Sequence, residues 1–292
     1  MDGRAVAPAA GTVLNALATG RGSAFAIDIE TTASVELTDE GAVRGEIAEA
    51  PDADTMLIER CARLTLERYG DDAGVDGPSM GVRVRTESEV PMAAGLKSSS
   101  AAANATVVAT LDALGLADDV DRLEACRLGV DAARDVGVTV TGAFDDASAS
   151  MLGGVTVTDN HADELLTRES VEWDVLVYTP PEQAFSADAD VDACERIAPM
   201  AELVEELALD GRYGDAMTVN GFAFCGALEF PTGPMLDALP GVDGVSLSGT
   251  GPSVVAIGDD SALETARERW EDRPGIVRST TTRTDGTTPT ST

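Results

Sequence analysis

Pro91 to Asn104 reads PMAAGLKSSSAAAN. One glycine, one lysine and three successive serines lead into a run of small helix-forming residues, the pattern of a loop that opens a helix. The first N–H groups of a helix have no internal partners and sit at the positive end of its dipole, a setting that suits a phosphate. Gly95 removes a side chain where a ligand would approach, and Lys97 adds a positive charge. Lys97 is also the only lysine in the chain; the remaining cations are arginines. Upstream, Val82 and Val84 alternate with polar residues in a predicted strand. Downstream, Ala101 to Leu114 continues helically, with Val107, Val108, Leu111 and Leu114 facing inward and Gly115 ending the helix. The loop therefore lies between a strand and a helix, and the alanines of that helix allow it to approach a sheet closely.

The 292 residues, 43% of them hydrophobic, are enough for one large domain or two medium ones with a real core. Acidic residues number 52 against 20 basic ones, a net charge of −32 spread along the whole chain. Self-repulsion on that scale destabilises the folded chain in dilute buffer and is screened by salt. Such a surface is similar to those of proteins adapted to salt-rich cytoplasm. It also argues against nucleic-acid binding, since a polyanion is repelled and no basic patch interleaved with aromatics occurs. Cys61, Cys126, Cys194 and Cys225 are far apart and read as free thiols. His161 is the only histidine; it lies in the polar stretch DNHADE, so neither a zinc site nor a Ser-His-Asp triad is expected. No run approaches the roughly 20 apolar residues of a membrane span, and a soluble, cytoplasmic protein is expected.

Taken in order, the first 37 residues read as strand, glycine-rich turn and strand, with Phe25, Ile27 and Ile29 alternating and Val35 and Leu37 in a further strand. Gly20 and Gly22 flank Arg21, a cation on a tight turn that can meet an anionic substrate. Asp54 to Tyr69 is an amphipathic helix closed by Gly70, and Val120 to Val136 another. Val138 and Val140 mark a strand end, Thr141-Gly142 a turn, and Thr158 to Ser170 a polar linker. Beyond it, strand Trp173–Tyr178, helices Val191–Leu209 and Asp215–Leu228, paired strands across Gly244–Gly258, helix Ser261–Trp270 and strand Ile276–Thr282 give the order βααββαβ, an α/β sandwich. The threonine-rich tail after it is expected to fray.

Two further stretches carry chemistry. In GAFDDASASMLGG, Asp145 and Asp146 are adjacent carboxylates in an otherwise small and apolar segment, which points to partial burial with a purpose. In Ser248-Gly249-Thr250-Gly251-Pro252-Ser253, two glycines make a second tight turn. PMAAGLKSSSAAAN resembles the P-x-x-x-G-L-x-S-S-A-A signature of the GHMP kinases. LSGTGPSVVAIG resembles the third glycine motif of that superfamily, and GAFDDASASMLGG its central aspartate segment, in the same order along the chain. Within the superfamily, GLKSSSAAANA and TVTGAFDDAS are most similar to the archaeal family of shikimate kinases.

The resemblance implies a two-domain α+β fold: an N-terminal α/β domain over residues 1–160 with the phosphate loop, a C-terminal ferredoxin-like α/β sandwich over 165–285, and a flexible tail at 286–292. It implies transfer of the ATP γ-phosphoryl group to the 3-hydroxyl of shikimate. Pro91, Met92, Ala93, Ala94, Gly95, Leu96, Lys97, Ser98, Ser99, Ser100 and Ala101 would then hold ATP, with Ser99 or Ser100 a hydroxyl ligand for Mg²⁺. Counting back from Gly153, which closes the aspartate motif, gives Asp146 as the catalytic carboxylate, with Asp145 second. Asn15, Arg21, Thr141, Gly249, Thr250 and Gly251 are candidates for the acceptor. The magnesium-binding glutamate of the superfamily has no clear counterpart, Asp131 and Asp135 being the nearest acids. Other readings are a homoserine or mevalonate kinase on the same fold, or a catalytically silent metabolite sensor.

Overall fold

The structure, a computed structural model, describes residues 1–90, 94–139, 141–184 and 189–290. Its organising unit is one long antiparallel hairpin, β1 (Asp2–Leu14) and β2 (Arg21–Thr38). Val35 and Leu37 continue β2 and do not begin a separate strand; Glu30 to Ser34 contains no glycine or proline to interrupt the extended chain. One edge of β2 is covered by β1. The other is shared: Arg21–Phe25 pairs with β5 (Val155–Asp159), and Thr31–Thr38 pairs with β4 (Gly81–Ser88). Parallel to β4 runs β3 (Val43–Ile47).

Thr158 to Ser170, expected as a linker, is instead most of a hairpin in which β6 (Glu164–Glu169) pairs with β5 and extends the first sheet. Its polarity reflects a strand exposed on one side, with Glu164, Leu166, Arg168 and Glu169 outward. The tail, over its described residues to 290, is bonded to the rest of the fold. Arg283 N–H donates to Ala26 O, Thr287 is buried and donates to Ser150 O, and β11 (Thr288–Pro289) pairs with β1. Threonine hydroxyls bonding to backbone hold this segment down, where an apolar pattern would have been legible in advance. Val138 is exposed and belongs to no strand; Val140 lies outside the described residues.

Four helices cover the first sheet: α1 (Met56–Tyr69), α2 (Ser98–Leu114), α3 (Arg122–Asp135) and α4 (Phe144–Leu152). The close approach of α2 depends on small residues, since a Cβ on Gly3 would overlap Ala109 O. The second sheet has the order β10 (Ile276–Thr281), β7 (Asp174–Thr179), β9 (Val254–Gly258), β8 (Gly244–Leu247), all antiparallel. Val191 to Leu209 is two helices, α5 (Val191–Glu195) and α6 (Ala198–Leu209), because Pro199 has no N–H to continue a helix through it. Then come α7 (Tyr213–Ala227), α8 (Gly233–Ala238), whose six residues are too few to show a period, and α9 (Asp260–Glu271).

The hairpin serves two cores. Ala5, Ala7, Ala33, Val35 and Leu37 pack with α1 to α4. Ala9, Val13, Leu14, Phe25, Ile27 and Ile29 join the core built by the second sheet, α6 and α7. The edge-to-face contact of Phe25 with Trp173, ring centroids 5.5 Å apart, carries that second core across the boundary. The β1–β2 turn, the head of α2 and the head of α4 therefore meet where the domains join.

Candidate active site

At that junction α2 begins at Ser98, entered through Lys97 in a left-handed conformation (φ 64°). The head of α4 is built the same way, with Gly142 (φ 85°) and Ala143 (φ 51°) before Phe144. Non-glycine residues adopt this conformation only where their surroundings impose it, and such residues gather at functional sites. The two left-handed entries turn the heads of the helices toward one another.

The loop before α2 and the second glycine turn form one object. Ser248 Oγ–H donates to Gly95 O at 2.8 Å, and Ser253 N–H donates to Ala94 O at 3.2 Å. Gly249 N–H donates to Thr12 Oγ1 at 2.8 Å, and Asn15 Nδ2–H donates to Gly249 O at 2.8 Å. Gly95 (φ 79°) is required twice over, since a Cβ there would overlap Ser248 O and lie 2.8 Å from Gly251 O. Pinned in this way, the loop presents the first N–H groups of α2, which have no partner within the helix. Ser99 is exposed at that end, Ser98 is half-buried and Ser100 is buried.

Lys97 points inward. Its Nζ lies 2.7 Å from Asp146 Oδ1, with the lysine side chain 7% and the aspartate side chain 16% exposed. The contact is ionic, at an angle that leaves this oxygen without a well-directed hydrogen bond. Burial first, and then the neighbouring Asp145 carboxyl, push the Asp146 carboxyl up to about 7, against the opposing pull of Lys97. A carboxyl so placed can accept or give a proton near neutral pH.

Asp145, next to Asp146, is buried. Its Oδ1 accepts from Asn160 Nδ2–H at 2.7 Å, and its own N–H donates to Asn160 Oδ1 at 3.1 Å. Gly22 permits this placement, since a Cβ there would lie 2.5 Å from the Asp145 carboxyl carbon. Beside Gly22, Arg21 opens β2, with Nη1 2.9 Å from Asp159 and Nε 3.6 Å from Glu205 of α6. Thr141 Oγ1 accepts from Ala143 N–H at 3.2 Å and lies 3.5 Å from Asn160 Nδ2.

The structure thus brings Gly95, Lys97, Asp146, Gly249 and Gly251 to one place, with Asp145, Arg21 and Thr141 against its rim. Asn15 is buried beneath it, its carboxamide engaged by Gly249 O and Leu17 N–H. Pro91, Met92 and Ala93 lie outside the described residues. Asp131 and Asp135 turn to Arg134 and Arg60 on the outer side of α3. Sequence reasoning passed over Asn160 and Thr12. Asn160 stands in a polar turn that carries no sign of burial, and Thr12 in a run of small strand residues. Among the described residues, no three His, Cys, Asp or Glu side chains converge as a metal cluster, and no helix is long and apolar enough to cross a membrane.

A pinned glycine loop at a helix head, facing a lysine–aspartate pair between two α+β domains, defines an enzyme that handles a phosphate group. Residues 56–154 match the family model of the GHMP kinases N terminal domain. The fold is likewise that of a homoserine kinase from Cytophaga hutchinsonii (16% identical, TM-score 0.74, 99% of this chain and 97% of that one) and the mevalonate kinase of Methanococcus jannaschii (15%, 0.75, 96% and 98%). A shikimate kinase of Halobacterium salinarum is 66% identical over 98% of this chain and 99% of its own length, and one of Methanococcoides burtonii is 50% identical over 98% of each. The chain belongs to the shikimate kinase branch of the GHMP kinase family. It is an ATP-dependent small-molecule kinase.

Proposed function

We propose that this protein transfers the γ-phosphoryl group of ATP to the 3-hydroxyl of shikimate, with Asp146 as the base. The observation that carries the reading is the Lys97–Asp146 contact at the mouth of the pinned loop, in a chain whose full-length relatives are shikimate kinases. Gly95 to Ala101 hold the nucleotide phosphates through backbone N–H groups. Asp146, unprotonated, takes the proton of the acceptor hydroxyl as that oxygen bonds to the γ-phosphorus. The bond from phosphorus to the β,γ-bridging oxygen breaks, and ADP leaves.

The donor set suits Mg²⁺ held mainly by phosphate oxygens and water, with the exposed hydroxyl of Ser99 as a protein ligand; the ion would neutralise phosphate charge. Arg21 would meet the shikimate carboxylate by exchanging its looser partner, Glu205 at 3.6 Å, for the substrate. Thr141 and the turn Gly249-Thr250-Gly251 would face the acceptor, with the Gly249 N–H and O held in place by Thr12 and Asn15. The acidic surface and the Halobacterium relative support a cytoplasmic protein that works in concentrated salt.

The test is ADP release in high salt with shikimate, homoserine and mevalonate side by side, for wild type and Asp146→Asn. Shikimate alone is expected to support turnover. Asp146→Asn is expected to lose about a hundredfold or more in kcat while still binding ATP. Turnover with homoserine alone overturns the acceptor, and near-normal turnover of the variant overturns the base. Tight ATP binding with no turnover on any acceptor would make the chain a sensor.

A further inference from the structure

When two carboxyls stand side by side in one buried site, the charge of one raises the pH at which the other gives up its proton, and hydrogen bonds that fix the first hold that effect in place. The structure contains such a fixture. Asn160, in the β5–β6 turn, is buried and fixed by its own backbone: its N–H donates to Gly20 O at 2.9 Å, and its carbonyl accepts from Arg134 Nη2 at 3.3 Å. The orientation of its carboxamide is not arbitrary. Asp145 N–H can only donate, so the atom facing it must be Oδ1, which also accepts from Thr158 Oγ1–H at 2.8 Å. Nδ2–H must then face the Asp145 carboxyl, and it does, at 2.7 Å.

We propose that Asn160 is a positioning residue for phosphoryl transfer: its carboxamide, bonded to both the N–H and the carboxyl of Asp145, fixes that carboxyl next to Asp146 and so sets the pH at which Asp146 can act. The proposal rests on the reading of Asp146 as the base. The other charges around α4 are committed elsewhere. Arg134 of α3 grips Asp163 at 2.6 and 2.8 Å, and Arg127 bonds Asp163 O and lies against the Phe144 ring. Arg21 of β2 pairs with Asp159 of β5, Lys97 before α2 meets Asp146, and Asp2 and Arg4 lie at the far end of β1. Without the Asn160 carboxamide, the Asp145 carboxyl loses the bonds that keep it next to Asp146, and Asp146 gives up its proton at lower pH.

The experiment is the pH dependence of kcat at saturating ATP and shikimate in high salt, for wild type, Asn160→Ala, Asp145→Asn and the double variant. Thr158→Val is included as a near-isosteric change that removes one anchor of the carboxamide. Asn160→Ala and Asp145→Asn are each expected to move the acid limb about one unit to lower pH. The double variant is expected to move it no further, and Thr158→Val to move it the same way by less. A lowered plateau with the limb in place, a limb moved upward, or additive shifts in the double variant overturns the proposal. If Asn160→Ala does not fold, an unmoved limb in Thr158→Val does so. Asp146→Asn in the same assay separates the two readings: retention of the wild-type rate and limb refutes the base itself, whereas its loss beside an unmoved Asn160→Ala limb refutes only the positioning.

Discussion

Lys97 works against its surroundings. Burial and Asp145 both hold the proton on Asp146, and the ammonium 2.7 Å away pulls toward the ionised form. Lys97→Ala removes that pull, so the acid limb of kcat is expected to move to higher pH, with turnover at pH 7 falling accordingly; a limb that stays in place would make the contact incidental to catalysis. With Asp146 as the base, wild-type activity is expected to be present above the folded value of about 7 and to fall as pH drops through it, which the pH profile of kcat checks. Stability follows the opposite sign. Between 3.8, the value of the unfolded group, and about 7 the native chain binds more protons than the unfolded one, so the Asp146 contribution weakens the fold as pH rises through that window. Lys97 stood out in the sequence as the sole lysine, and its side chain lies against Asp146. Its direction was not legible there, since it depends on a left-handed φ imposed by the loop bonded to Ser248 and Ser253.

At the scale of elements, the head of α2 is shaped by a turn more than a hundred residues away. Gly95→Ala is expected to destabilise the protein by about 2 kcal/mol or more, through a strained φ and overlap with the Ser248 carbonyl. It should also raise KM for ATP as the loop loses its seat; thermal unfolding and ATP titration of the variant check both. An unchanged melting temperature would mean that the two loops are not coupled. The long helices and the two glycine turns were readable because glycine, small residues and a 3.6-residue period each leave a direct mark on sequence. The β5–β6 hairpin was not, because β6 is an edge strand with one face in water and its alternation drowns among charges. Asn160 was hidden for a related reason: its burial comes from α3, α4 and the β1–β2 turn closing over it, not from any property of DNHADE. The choice of Asp146 over Asp145, made by counting from Gly153, agrees with the side of α4 that meets Lys97.

Across the whole molecule, the net charge of −32 sets the response to salt. Arginine–carboxylate pairs such as Arg60–Asp135 and Arg212–Asp215 are exposed, and pairs of that kind contribute about 0–1 kcal/mol each. Screening the overall repulsion should outweigh screening these pairs. The melting temperature is therefore expected to rise between about 0.1 and 2 M KCl, by about 5 °C or more for a stabilisation of about 2 kcal/mol. A fall would mean that the local pairs dominate. Residues 283–290 add a consequence of another kind. Arg283 lies between β4 and β5 and meets Asp28, Glu30 and Asp285, while Thr284 O, with Leu152 O and Gly153 O, accepts from the Arg168 guanidinium at the foot of α4. Thr287 closes on Ser150 of the same helix. On the ribosome, the first half of the chain can lay down most of its sheet, but the nucleotide loop lacks Ser248 and Ser253, and the helix that bears Asp146 stays unclamped, until the second half has been translated. A nascent chain would thus gain its ATP cradle and its carboxylate together, once residues 248–287 have emerged.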